Sequence, residues 1–190
     1  MRVIFDGAPQ PDARLLVMLP AAKARPEDFI EHGFIAAVRR RSLALDVAAV
    51  DAHADLYLDD NIAERLETEV MQPLRKRGYA EICMLGISLG GMGSIAYACR
   101  HGRAVGKLML LAPFLGLRGA NREPELLGAL GDAALPEVFL GYGRQDRYAR
   151  ASELLAQRLP AARVSIAEGG HDWPTWIELW HLMLAQAFAK

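Results

Sequence analysis

Short runs of consecutive apolar residues recur along the chain, separated by longer stretches in which apolar residues are spaced by three or four positions. The runs predict β-strands at 15–19, 43–50, 82–85, 107–111, 138–141 and 164–167. Runs that are apolar at every position are typical of parallel strands that are covered on both faces. A shorter segment at 2–5 predicts an additional edge strand.

The longer stretches predict α-helices, because their apolar residues fall on one face at helical spacing. These helices cover 27–41, 61–78, 91–98, 148–159 and 173–188. Asn61, with Glu64 three positions later, has the spacing of a helix-starting capping box. Strands and helices alternate from end to end, which favours right-handed crossovers. The predicted fold class is therefore α/β, a three-layer α/β/α sandwich with a mainly parallel central sheet.

The composition is that of one soluble globular domain over residues 1–190, with 52% hydrophobic and 24% charged residues. A net charge of −1 gives no reason to expect nucleic acid or an anionic membrane as a partner. No apolar stretch has the pattern of a signal peptide or a membrane span, so we expect a cytoplasmic protein. Cys83 and Cys99 lack metal-site spacing and are expected to be buried, reduced thiols. No motif indicates a metal or a cofactor, and none bears on the oligomeric state.

The turn after the strand at 82–85 reads Gly86-Ile87-Ser88-Leu89-Gly90 and leads into a helix. A serine between glycines at a strand-to-helix turn predicts a nucleophile elbow, which presents the Ser88 hydroxyl above the sheet. In such a turn Ser88 has strained backbone angles, and side chains at Gly86 and Gly90 would collide with neighbouring backbone. The alternative is an ordinary glycine-rich turn without chemistry.

A general base must lie near Ser88, and His171 is the best candidate among five histidines. It directly follows the strand at 164–167, after Glu168-Gly169-Gly170, at the sheet edge where ligands bind in α/β folds. A neutral imidazole there can take the Ser88 proton and later return it. The alternative for His171 is a cap on the last helix. His53 lies in a loop that could contact substrate, and the remaining histidines are assigned to surface or packing roles: His32, His101 and His181.

The acid that orients the base should follow a strand between Ser88 and His171. Asp146 lies a few residues beyond the strand at 138–141 and meets this requirement. Asp172 is adjacent to His171, but neighbouring side chains point apart. Asp132 precedes its strand and falls at the opposite edge of the sheet.

An oxyanion hole requires two backbone N–H groups directed at the developing negative charge. Leu89, directly after the nucleophile, is predicted to supply one. The other should come from the loop after the strand at 15–19, from Ala21 or Ala22, because Pro20 has no N–H.

The chain resembles the α/β-hydrolase superfamily over essentially its whole length, through the motifs at 86–91, 141–146 and 169–173. The chain order serine, acid, histidine is also that of the superfamily. The segments at 56–59 and 171–176 are similar to the esterase group that includes S-formylglutathione hydrolases and mycolyltransferases. This resemblance implies hydrolysis or transfer of acyl groups from esters or thioesters.

Two departures from the superfamily bear on the substrate. The His-Gly-Gly-Gly oxyanion loop of many lipases is replaced by Pro20-Ala21-Ala22, and the position of a lid holds only the loop at 112–136, with a short helical piece near 125–130. A short cover predicts an open site for small or medium-sized soluble substrates. Leucines of this loop could line an acyl pocket or cover the core: Leu115, Leu117, Leu126, Leu127 and Leu130. Together with Leu115, the predicted substrate contacts are His53, Tyr57 and Trp173.

The sequence thus predicts a serine hydrolase that cleaves carboxylic ester or thioester bonds of a small-molecule substrate through acyl-Ser88. One alternative is a non-catalytic protein that binds a small ligand on the same fold. Another keeps the triad for amide cleavage, carbon–carbon bond cleavage or acyl transfer, because one fold and triad support many reactions.

Overall fold

A computed structural model describes residues 1–7, 13–57, 61–116 and 136–189. Its strands are β1 (Val3–Asp6), β2 (Arg14–Leu19), β3 (Leu45–Val50), β4 (Glu81–Ile87), β5 (Lys107–Leu111), β6 (Glu137–Gly143) and β7 (Val164–Ala167). Its α-helices are α1 (Asp28–Glu31), α2 (Phe34–Arg40), α3 (Ile62–Leu66), α4 (Gln72–Arg75), α5 (Leu89–His101), α6 (Ala149–Ala156) and α7 (Trp173–Ala187). Shorter helical turns lie at Ala54–Tyr57, Gly102–Ala104 and Ala161–Arg163.

The strands form one seven-stranded sheet in the order β1-β3-β2-β4-β5-β6-β7. All neighbouring pairs from β3 to β7 are parallel, whereas β1 pairs with β3 in the antiparallel direction. The predicted edge strand is therefore present. The carboxyl ends of β2, β4 and β6 lie at the same edge, which brings the loops with the predicted chemistry together.

Two apolar clusters cover the two faces of the sheet. The alternating side chains of β2 divide between them, with Leu15, Val17 and Leu19 on one face and Leu16 and Met18 on the other. One cluster includes buried residues of α3, α4, α5 and α6, and the other includes those of α1, α2 and α7. Each fully buried leucine contributes about 1.5–3 kcal/mol through loss of apolar surface from water. The predicted three-layer α/β/α sandwich is confirmed.

The predicted helix at 27–41 is wrong as one continuous element. Gly33 has a left-handed backbone, with φ of 75°, and separates α1 from α2. Ile30, an apolar residue of this stretch, is 52% exposed.

The predicted helix at 61–78 contains a π-helical turn, Glu67–Met71, between α3 and α4. Pro73 follows this turn and has no N–H to donate to a carbonyl one turn earlier, which accounts for the irregularity. Asn61 occupies the N-cap position, but the predicted capping bond is wrong because its side chain makes no such bond. The apolar residues that recur every four positions in this stretch are buried, as expected for one face of a helix: Ile62, Leu66, Val70 and Leu74.

Of the two cysteines, Cys83 is buried as predicted, and burial raises the pKa of its thiol to about 12. The prediction for Cys99 is wrong, because this residue is exposed near the end of α5. No helix in the described ranges is both long and apolar enough to cross a membrane. Several predictions for the loop at 112–136 fall outside the described residues: the helical piece, Leu117, Leu126, Leu127, Leu130 and Asp132.

Candidate active site

Ser88 lies at the junction of β4 and α5 in a strained backbone conformation, with φ of 52° and ψ of −113°. The turn is closely packed on both sides of it. A Cβ atom at Gly86 would lie 2.4 Å from the Gly90 carbonyl oxygen, and one at Gly90 would lie 2.3 Å from the Leu19 carbonyl oxygen. The strained serine and the two predicted backbone collisions are therefore confirmed.

Hydrogen bonds from outside the turn hold this conformation. The Ser88 N–H donates to the Leu111 carbonyl oxygen at 2.9 Å, and the Ser88 carbonyl oxygen accepts from the Phe114 N–H at 2.9 Å. Strained residues persist where the surrounding structure fixes them in this way. Ser88 itself is 7% exposed, at the edge of the sheet.

The structure brings Ser88, His171 and Asp146 together as a hydrogen-bonded chain. His171 Nε2 lies 2.9 Å from Ser88 Oγ, and His171 Nδ1 lies 2.7 Å from Asp146 Oδ2. The side chain of His171 is 10% exposed and that of Asp146 is 1% exposed. A largely dry hydroxyl–imidazole–carboxylate chain has the geometry for moving a proton from oxygen to nitrogen.

The Asp146 carboxylate has a separate partner for each oxygen. Oδ2 faces His171, while Oδ1 accepts from the Tyr148 N–H at 2.7 Å. Because the second bond fixes the plane of the carboxylate, Oδ2 remains directed at the imidazole.

Asp172, the alternative acid, has a structural role. Its Oδ1 accepts from the Thr175 N–H at 3.0 Å and from Thr175 Oγ1 at 2.7 Å. These two bonds lower the pKa of the carboxyl and make it the N-cap of α7. The cap on the last helix is thus Asp172 and not His171.

Gln145 joins the loop that carries Asp146 to the loop that carries His171. Its side-chain oxygen accepts from the backbone N–H of Gly169, and its backbone N–H donates to the Gly169 carbonyl oxygen at 2.9 Å. The nitrogen of its side-chain amide, Nε2, donates to Glu168 Oε2 at 2.5 Å. A Cβ atom at Gly143 would lie 2.4 Å from the Gly169 oxygen, so glycine is needed for this close approach.

We expect Gln145→Ala to lower kcat by about tenfold with little change in KM, because small displacements of catalytic groups cost rate. The substitution removes the side-chain bonds between the two loops and leaves Asp146 and His171 in place. Steady-state kinetics on para-nitrophenyl acetate measures the effect.

Arg144→Ala is the matched control for this prediction. Arg144 Nε contacts Glu168 Oε1 at 2.8 Å, but the two side chains are 63% and 71% exposed, and pairs of this kind contribute little. Equal losses in the two variants, or an unchanged kcat in Gln145→Ala, would contradict the positioning role of Gln145.

Several solved structures are similar to this chain in fold, although no protein-family model and no curated protein matches the sequence. A predicted CIB-like hydrolase from Thermoplasma acidophilum has a TM-score of 0.74 at 18% identity, over 98% of this chain and 91% of that one. An S-formylglutathione hydrolase from Staphylococcus aureus has a TM-score of 0.70 at 15% identity, over 95% and 82%. The thioesterase domain of the curacin biosynthetic pathway has a TM-score of 0.66 at 11% identity, over 96% and 94%. The chain has the α/β-hydrolase fold.

In this α/β-hydrolase fold a cleft of about 480 Å³ opens above Ser88 and His171. The three residues predicted for the oxyanion hole, Leu89, Ala21 and Ala22, also line it. Leu89 is the first residue of α5, so its N–H has no acceptor within the helix. Ala21 and Ala22 lie in a tight turn after β2, and their N–H groups donate to no other described backbone or side-chain group.

The cleft has an aromatic wall that sequence reasoning missed. Tyr148 and Trp176 each place a ring edge-on to His171, with centroid distances of 5.0 Å. Phe114 meets Tyr148 at 5.6 Å in the same edge-on manner. Tyr148 is two positions from Asp146, and Trp176 is one helical turn beyond Asp172, so their closeness to the motifs was the available signal. Lys23 and Arg147, also missed, complete the lining.

The four predicted substrate contacts lie elsewhere in the described structure, outside the cleft lining. His53 is exposed, with Nε2 3.3 Å from Asp51 Oδ1. Tyr57 and Leu115 are buried in the core cluster on one face of the sheet. Trp173 stacks on the imidazole of His32 at 4.2 Å. Tyr57, Leu115 and Trp173 thus pack against apolar residues of the core. A sequence pattern does not distinguish such packing from contact with a ligand.

Among the described residues, no three or more His, Cys, Asp or Glu side chains lie close enough together to hold a metal ion. The cleft presents a serine hydroxyl and an imidazole bonded to a buried carboxylate, with a lysine and an arginine side chain also in its lining.

Proposed function

We propose that the protein is a serine hydrolase that cleaves carboxylic ester or thioester bonds through an acyl-Ser88 intermediate. The observation that carries this proposal is the chain Ser88 Oγ–His171 Nε2, His171 Nδ1–Asp146 Oδ2, with contacts of 2.9 and 2.7 Å at the base of a cleft. A cleft of this size is suited to a small or medium-sized molecule.

In the acylation step His171 Nε2 takes the proton of Ser88 as Oγ attacks the carbonyl carbon of the substrate. Asp146 holds the imidazole in one tautomer and stabilises the imidazolium that forms. The N–H of Leu89 and that of Ala21 or Ala22 stabilise the oxyanion, with each such donor contributing about 3 kcal/mol.

Collapse of the tetrahedral intermediate breaks the carbonyl C–O or C–S bond, and His171 Nε2 returns its proton to the leaving oxygen or sulfur. The alcohol or thiol departs and leaves the acyl group on Ser88. A water molecule then gives a proton to His171 and attacks the same carbon. Release of Ser88, which recovers that proton, yields the carboxylic acid.

Names of the structural neighbours support the choice of bond. They include a ferulic acid esterase, an S-formylglutathione hydrolase and a thioesterase domain. These activities belong to those proteins, and the shared fold makes esters and thioesters the first compounds to test on this one.

Labelling with a fluorophosphonate probe, read by intact mass and by peptide mapping, tests the proposal. We expect one adduct, on Ser88, and none in the Ser88→Ala protein. Ser94→Ala is the matched control, because Ser94 lies in α5 with its hydroxyl bonded to the Gly90 oxygen at 2.9 Å. Failure of the folded wild-type protein to react, or labelling that persists in Ser88→Ala, would reject the serine nucleophile.

A further inference from the structure

Two cations enter the cleft from opposite sides of Ser88. Lys23 lies in the turn after β2 and Arg147 in the loop after β6, and both line the cleft. Ser88 follows β4, which lies between β2 and β6 in the sheet order. A molecule bound at Ser88 is therefore placed between these two side chains.

Neither Lys23 nor Arg147 takes part in an ion pair with a described carboxylate, and the described lining contains no aspartate or glutamate. The whole chain carries a net charge of −1, so the positive cleft is a local feature. A concave site lined by charge of one sign attracts ligands of the other sign.

The Arg147 guanidinium lies over the aromatic wall of the cleft. Its guanidinium carbon lies 4.9 Å from the centroid of the Tyr148 ring, and that ring meets His171 at 5.0 Å. The Tyr148 ring therefore contacts both the positive charge of Arg147 and the imidazole of the proposed base. Cations without a carboxylate partner favour a ligand rich in acceptor oxygens.

We propose that the substrate carries an anionic oxygen group, a carboxylate or a phosphate, beside its ester or thioester bond, and that Lys23 and Arg147 bind this group. The inference rests on the proposed hydrolase function and adds its substrate class. Flexible lysine and arginine side chains reach several positions, so the anion can belong to the acyl group or to the leaving group.

Two matched pairs of esters separate these positions. For the acyl group, the para-nitrophenyl monoester of adipic acid is compared with para-nitrophenyl hexanoate. For the leaving group, the butyrate ester of a carboxylated nitrophenol is compared with para-nitrophenyl butyrate. Rates are corrected for spontaneous hydrolysis, and each variant is compared with wild type on the same ester, so intrinsic reactivity cancels.

We expect Lys23→Gln and Arg147→Gln each to lower kcat/KM for the anionic ester of at least one pair by about three- to fivefold, and the double variant by about tenfold or more. Neutral esters should change by less than about twofold. Because exposed charges are screened over about 10 Å at 0.1 M salt, the selectivity should fall as salt is added. Controls are Lys76→Gln and Arg103→Gln, which remove the same charge from exposed positions outside the cleft lining.

A binding measurement separates this inference from the proposed reaction. Monoethyl adipate and ethyl hexanoate are titrated into the Ser88→Ala protein, with tryptophan fluorescence as the readout. Tighter binding of the anion that is weakened by Lys23→Gln and Arg147→Gln supports the inference even if no ester is hydrolysed. Equal losses on charged and neutral esters, or no preference for the anion in either experiment, would overturn it.

Discussion

We expect Ser88→Ala to lower kcat for para-nitrophenyl acetate by about 10⁴- to 10⁶-fold, because it removes the group that forms the covalent bond. His171→Ala should have an effect of similar size, since Ser88 Oγ then has no base within 2.9 Å. Asp146→Asn should cost about 10⁴-fold, because an amide opposite His171 Nδ1 favours the wrong tautomer.

Double variants provide the decisive measurement for this prediction. Groups that act as one unit lose their effect together, so Ser88→Ala combined with His171→Ala should be little slower than either single variant. Circular dichroism and urea unfolding establish that each variant is folded, and Ser94→Ala should retain the wild-type rate. Losses that multiply in the double variant, or a wild-type rate in Ser88→Ala, would contradict the assignment.

We expect Gly90→Ala to cost about 3 kcal/mol of stability, because its new methyl group meets backbone atoms that cannot rotate away. The added Cβ would lie 2.3 Å from the Leu19 oxygen and 2.6 Å from the Pro20 oxygen. Relief of these contacts must separate α5 from the loop after β2. Since Leu89 lies in α5 and Ala21 in that loop, and both line the cleft, kcat/KM should fall by about 100-fold.

Urea unfolding and steady-state kinetics on the same preparation test this prediction. Gly170→Ala is the matched control for stability, because a Cβ atom there meets only Asp172 Oδ2, at 3.3 Å. That oxygen is the end of a side chain and can move, so the control should change stability by less than about 0.5 kcal/mol. A Gly90→Ala protein with wild-type stability and rate would show that the close approach has no functional weight.

The triad was predictable because each member follows a strand whose apolar run is visible in the sequence. The topology then requires the ends of β4, β6 and β7 to meet at one edge, so Ser88, Asp146 and His171 could be placed without coordinates. The residues that surround the triad in the cleft were harder to predict. Phe114, Tyr148 and Trp176 converge on the cleft from three separate segments, and only the closeness of Tyr148 and Trp176 to the motifs in the sequence signalled it.

Local exceptions were the other limit on prediction. Gly33 lies within an otherwise periodic helical stretch, and only its left-handed backbone shows that the stretch is divided. Gln145 is a residue type that is common in loops, so the sequence does not single it out. Its side chain nevertheless connects two loops through bonds to Glu168 and Gly169. The spacing of apolar residues predicts which residues are buried. It does not predict a left-handed backbone such as that of Gly33 or a side-chain hydrogen bond between loops such as that of Gln145.

The bonds that hold Ser88 have a consequence for how its reactivity depends on the rest of the molecule. Its N–H and its carbonyl oxygen are both bound by residues at or beyond the end of β5, Leu111 and Phe114. A peptide that spans only β4 and α5 would contain every residue of the motif and none of these partners. The conformation of the proposed nucleophile therefore depends on two adjacent strands, and the five-residue motif does not hold it alone.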